Sequence, residues 1–73
     1  MNTPDNNFVN IIIKEFISGN KDKALKKLYK HIKKNDGDML AKYNYAYMQH
    51  QVGNIKTAIQ YYTEVAELSK TQW

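Results

Sequence analysis

The sequence predicts an all-α fold of four helices, and three observations carry that expectation. Apolar residues recur three and four positions apart through most of the chain, the spacing of helices buried along one stripe. Short clusters of Gly, Asn and Asp separate these blocks, while one Pro and three Gly in 73 residues leave too little turn material for an all-β chain with many corners. Finally, Gly19-Asn20 followed by Ala24 returns thirty-four residues later as Gly53-Asn54 followed by Ala58, and Asn10 returns as Asn44. The four helices therefore read as two copies of one helical hairpin.

The first helix opens at Thr3-Pro4-Asp5. Thr suits the N-cap, and Pro at the first helical position loses no donor the helix needs. Phe8, Ile11, Ile12, Glu15 and Phe16 follow at helical spacing, and Ser18-Gly19-Asn20 ends the element, with Gly19 free to take the left-handed conformation. Apolar residues cover more of this helix than one stripe: Phe8, Val9, Ile11, Ile12, Ile13, Phe16 and Ile17 leave only a narrow polar line at Asn7, Asn10, Lys14 and Ser18. The second helix spans about 21–34, with Ala24, Leu25, Leu28, His31 and Ile32 on one side and lysines opposite. Asn35-Asp36-Gly37-Asp38 forms a turn and then a cap. The third runs over 39–52 and stops at Gly53-Asn54. The fourth spans 55 to about 69, with Ile55, Ala58, Ile59, Tyr62, Val65, Ala66 and Leu68 as its expected inner set. The expected core is Ile12, Ala24, Leu28, Tyr45, Ala46, Ala58, Ile59 and Tyr62.

Length and composition bound the function. Seventy-three residues make one domain, residues 1–73. Without cysteine there are no disulfides, thiolate metal sites or thiol catalysis. Ile11-Ile12-Ile13 is the longest aliphatic run, far short of the ~18 residues of a membrane span. No basic-then-apolar leader opens the chain, so a cytoplasmic location is expected. The net charge of +4 is uneven: residues 20–35 hold seven Lys against Asp22 alone. His31 and His50 have no carboxylate at ligand spacing, so no metal is expected; His31 is expected to fill a seam between helices. No phosphate loop and no nucleophile–base pair is visible, so neither a cofactor nor enzyme activity is expected.

A thirty-four-residue unit of two helices is the period of the tetratricopeptide repeat, and residues 39–72 resemble that family. Ala46, Gly53, Ala58-Ile59, Tyr61-Tyr62 and Val65-Ala66 with Leu68 stand where the family has its small, turn and apolar positions. Residues 5–38 match more loosely through Gly19, Ala24, Leu28 and Ile32. Ile12 and His31 replace small residues there, and Phe8 and Lys42 take the usual Trp position in the two units. The resemblance implies an α-solenoid fragment of two antiparallel helix-turn-helix repeats (5–38 and 39–72), acting in protein–protein interaction within a longer array. It implies a concave groove lined by the first helix of each unit: Val9, Ile13, Phe16 and Ile17, then Tyr43, Asn44, Tyr47, His50 and Gln51. The carboxylate clamp of the family's chaperone-tail binders is not expected, because Val9 and Ile13 occupy two of its positions and Asn44 alone matches.

Repeats bury a face by stacking on neighbours, and about three are normally needed. Trp73 falls where a third unit would begin. The expected partners are therefore a peptide or protein in the groove, together with a second copy or further repeats on the open ends. Those ends are expected at Val9, Ile13, Phe16 and Ile17 of the first helix and at Ile59, Tyr62, Ala66 and Trp73 of the last. The alternative is nucleic-acid binding through Lys23, Lys26, Lys27, Lys30, Lys33 and Lys34. It is less favoured, because the chain has no Arg and a lysine face also serves as a solvated exterior. No membrane partner is expected.

Overall fold

The computed structural model describes residues 4–72; Thr3 and Trp73 lie outside them. Four helices follow in order: α1 (Pro4–Ile17), α2 (Lys21–Lys34), α3 (Met39–Gln51) and α4 (Ile55–Gln72). The described residues contain no strand. Connections of three or four residues reverse the chain each time, so consecutive helices lie antiparallel. Principal extents of 35 × 32 × 17 Å correspond to two helix layers, since one helix with side chains is ~10–12 Å across.

The repeat reappears in the hydrogen bonds of its turns. After α1, Gly19 N–H donates to the Phe16 carbonyl at 3.2 Å and Asn20 N–H to that of Glu15 at 3.0 Å. After α3, Gly53 N–H donates to His50 at 3.1 Å and Asn54 N–H to Gln49 at 2.8 Å. This is the same double closure of a helix C-terminus through a left-handed residue. The glycines have φ of 109° and 92°. The Asn20 and Asn54 carbonyls then accept from Ala24 and Ala58, both at 3.0 Å, and start the next helix. A Cβ at either glycine would touch nothing within 4 Å, so substitution costs backbone strain alone. Gly53→Ala is expected to destabilise by about 1–2 kcal/mol, read as a lower urea midpoint with unchanged slope; an unchanged midpoint contradicts the strain.

Between the hairpins the chain is held by Asp38. Its Oδ1 accepts the Ala41 N–H at 3.0 Å and caps α3, while Oδ2 meets His31 Nε2 of α2 at 2.8 Å. His31 also lies against Phe8 of α1, ring centroids 5.0 Å apart, so it fills the α1/α2 seam as expected.

One core runs through both hairpins. Val9, Ile12 and Phe16 of α1, Ala24, Leu28 and Ile32 of α2, and Ala41, Tyr45 and Met48 of α3 form a buried cluster, with Ile13, Leu25 and Tyr61 packed on its edge. Tyr45 links the layers, 5.9 Å from Tyr29 and 4.8 Å from Tyr61 between ring centroids. Ala46 and Ala58 are also buried, and α3 makes its most extensive contact with α4. The expected core holds for Ile12, Ala24, Leu28, Tyr45, Ala46 and Ala58.

Ile59 departs from it: the side chain is 59% exposed, and Ile55 and Ala66 are exposed too. Tyr62 is only half-buried, and its neighbour Tyr61 joins the core edge instead. The reason is that, among the described residues, α4 packs against α3 alone. One neighbour covers one narrow stripe, and that stripe falls along Ala58, Tyr61, Val65 and Leu68. In α1 the expected open end is also corrected, because Val9 and Phe16 are buried in the shared core.

Candidate functional site

Where α1 crosses α3 the helices leave a cleft of about 270 Å³. Six of the nine expected groove residues line it: Ile13, Phe16 and Ile17 from α1, and Asn44, Tyr47 and Gln51 from α3. Their spacing explains this, since positions three and four apart share one helix face. Phe16 is nearly buried and forms the floor with Met48, Ile13 is half-buried, and Ile17 at 77% exposure makes the rim. The exposed Tyr47 and Gln51 place a phenol and an amide at the mouth. Asn44 Nδ2 donates to the Leu40 carbonyl at 2.9 Å, which holds that amide against its own helix.

Three expected residues are elsewhere. Val9 is fully buried in the core and offers nothing to a ligand. Tyr43 points to the α4 side, where its ring meets Tyr62 edge-on at 5.8 Å. His50 is exposed and does not line the cleft. All three sit on the correct helices, but Val9 is covered where α1 packs on α2 and α3, and the faces of Tyr43 and His50 are set by how α3 lies against α4. Two lining residues were not anticipated. Met48 completes the floor, and Lys21 brings Nζ to 5.7 Å from the Phe16 ring centroid, within the range of a cation–π contact. Lys21 has no sequence signal, because the next helix carries it back over the ring.

The second polar feature is Lys42, 4% exposed on α3. Its Nζ lies 3.0 Å from Asp36 Oδ1 in the α2–α3 turn and 3.0 Å from Glu64 Oε1 on α4. Beside it Asp36, Thr63, Glu64, Glu67 and Leu68 border a hollow of about 390 Å³. Burial alone would lower the Lys42 pKa, but its hydrogen bonds and charge attraction to Glu64 and Asp36 outweigh that and raise it. Burial likewise raises the phenols of Tyr45, against an opposing hydrogen bond from Gln49, and of Tyr61 and Tyr62. All four groups hold their protons more tightly when folded. Their contribution is fully present below the unfolded values, ~10 for Tyr and Lys, and is lost as pH rises through the folded values. Thermal midpoints are therefore expected to fall progressively above about pH 10 as tyrosinate absorbance grows; a flat midpoint through that range contradicts the linkage.

The lysine face of α2 borders a third hollow, lined by Phe8, Lys27, Lys30, His31, Lys34 and Asn35. Lys27 pairs with Glu15 at 3.0 Å, and Lys33 lies over Tyr29 at 5.4 Å. Among the described residues no three His, Asp or Glu side chains gather as a metal-ligand set, and no helix is long and apolar enough to cross a membrane. The chain matches no protein-family model, no curated protein and no solved structure.

Proposed function

We propose that this chain is a protein-interaction module of the tetratricopeptide type, whose α1/α3 cleft takes an extended segment of a partner protein. The observation that carries the reading is the cleft itself: an apolar floor of Phe16, Met48 and Ile13 under a mouth bearing Tyr47 and Gln51. Floor and mouth suit different parts of an extended peptide. An apolar side chain gains by leaving water against the floor, and its backbone amides find hydrogen-bond partners in the phenol and the side-chain amide. The repeated turn geometry supports the solenoid reading, because the same hydrogen-bond closure occurs after α1 and after α3.

Selection of random displayed peptides against the immobilised chain tests this. Enriched sequences are expected to carry an apolar anchor and to lose about tenfold in affinity with Tyr47→Ala, a typical cost of removing an aromatic contact. No enrichment, or enriched peptides indifferent to Tyr47→Ala and Ile17→Asp, overturns the reading. Nucleic-acid binding through α2 has less support. Glu15 partly neutralises Lys27, and Tyr29 holds Lys33 along the helix surface. A steep salt dependence of oligonucleotide binding would favour it.

A further inference from the structure

The internal repeat makes each residue of the second hairpin comparable with one thirty-four positions earlier. Ile12 and Ala46 are buried in both hairpins, as are Ala24 and Ala58; these positions lie in the seam within a hairpin. A second set behaves differently. Val9, Leu25, Leu28 and Ile32 are buried or half-buried in the first hairpin. Their counterparts in the second are Tyr43, Ile59, Tyr62 and Ala66, of which only Tyr62 is even half-buried. The first set is covered because α3 lies on it. The second set is the same kind of surface, and among the described residues no further helix lies on it.

We propose that the outer face of α3 and α4 is a homodimer interface, where a second copy of this chain docks through the same four residues about a two-fold axis. Two observations select a like-on-like contact. Stacking of the next copy's α1 onto this face would use the residues thirty-four before Ala41, Tyr45 and Met48. Those are Asn7, Ile11 and Lys14, all exposed and two of them polar, so the opposite end of the molecule is not its complement. The α3/α4 face by contrast is apolar and aromatic, and a two-fold contact of identical patches is the commonest closed arrangement.

The size of the patch sets the strength. Tyr43 and Ile59 are 49% and 59% exposed. With their neighbours the patch offers on the order of 400 Å² per copy, taking ~150–250 Å² for a large side chain. A pair then buries on the order of 800 Å², below the ~1,200–2,000 Å² of tight complexes, so the dimer is a weak one.

Sedimentation of the full chain from about 5 to 500 μM tests the proposal. The mass is expected to rise from the 8.6 kDa monomer to the dimer and stop there. Ile59→Asp is expected to weaken the dimer at least tenfold without loss of helix signal in circular dichroism, and the exposed Ala66→Lys to do the same. Ile17→Asp, on the α1 rim of the cleft, is expected to weaken peptide binding and leave the dimer unchanged, so the two are separable. A chain that stays monomeric at the highest concentration overturns the proposal. So does mass that grows past the dimer, or a dimer broken by Ile17→Asp and indifferent to both Ile59→Asp and Ala66→Lys.

Discussion

Leu28→Ala is expected to unfold a large part of the population at 25 °C. Leu28 is fully buried, and its cluster takes residues from α1, α2 and α3 together. Removing most of that side chain loses transfer free energy and leaves a cavity, for about 2–5 kcal/mol. A core of this size supplies only ~3–5 kcal/mol in total, so one substitution is comparable with the whole stability. Collapse around the gap is restricted, because the neighbours Val9, Ile12 and Ile32 are held on helices that also pack elsewhere. The half-buried Leu25 serves as the control: Leu25→Ala removes the same atoms from the edge of the cluster and is expected to cost clearly less. Urea unfolding followed by circular dichroism reads both. A loss below about 1 kcal/mol for Leu28→Ala would mean that the three-helix core is not the main source of stability.

Ala46→Leu acts by the opposite mechanism. Ala46 is fully buried and Ala58 nearly so, and these two small residues belong to the seam where α3 and α4 lie against each other. A leucine there must displace α4 or adopt a poor rotamer, at about 1–3 kcal/mol. The first hairpin shows what relief is available: Ile12 occupies the matching position and is buried in the same cluster as Ala24. Its helices accept the larger residue because that seam was built around it, whereas the alanine seam would have to open. In a domain this small each kcal/mol moves the melting midpoint by about 4–8 °C, so a fall of roughly 4–20 °C is expected. An unchanged melt would refute the seam assignment.

The two variants also separate what was legible in the chain from what was not. Leu28 was readable as core from local spacing, because α2 carries lysines along one side and leaves a single apolar stripe to bury. Ala46 was readable from the repeat, since small residues at both Ala46 and Ala58 point to closely packed helices. The candidate cleft was legible in part for a similar reason. Ile13, Phe16 and Ile17 share one face of α1, and Asn44, Tyr47 and Gln51 share one face of α3, so pairing these two helices brings the six together.

By itself the sequence determined the helices and most of their ends, because those depend on neighbours only a few residues away, although α4 runs on to Gln72, past its expected end at about residue 69. Gly19 and Gly53 take positive φ where other residues would be strained, and Asp38 caps α3 through the backbone three residues on. Tertiary structure alone decided which apolar residues are covered. Val9 is buried because α1 is packed by both α2 and α3, while Ile59, no less apolar, is exposed because among the described residues α4 has only α3 beside it. It also decided the surroundings of Lys42, whose two carboxylates arrive from the α2–α3 turn and from α4. Helix formation is governed by hydrogen bonds that close within a turn, and these are written in local order. Burial and charge pairing depend on how many helices surround a side chain and from which direction, and that is settled only when they assemble.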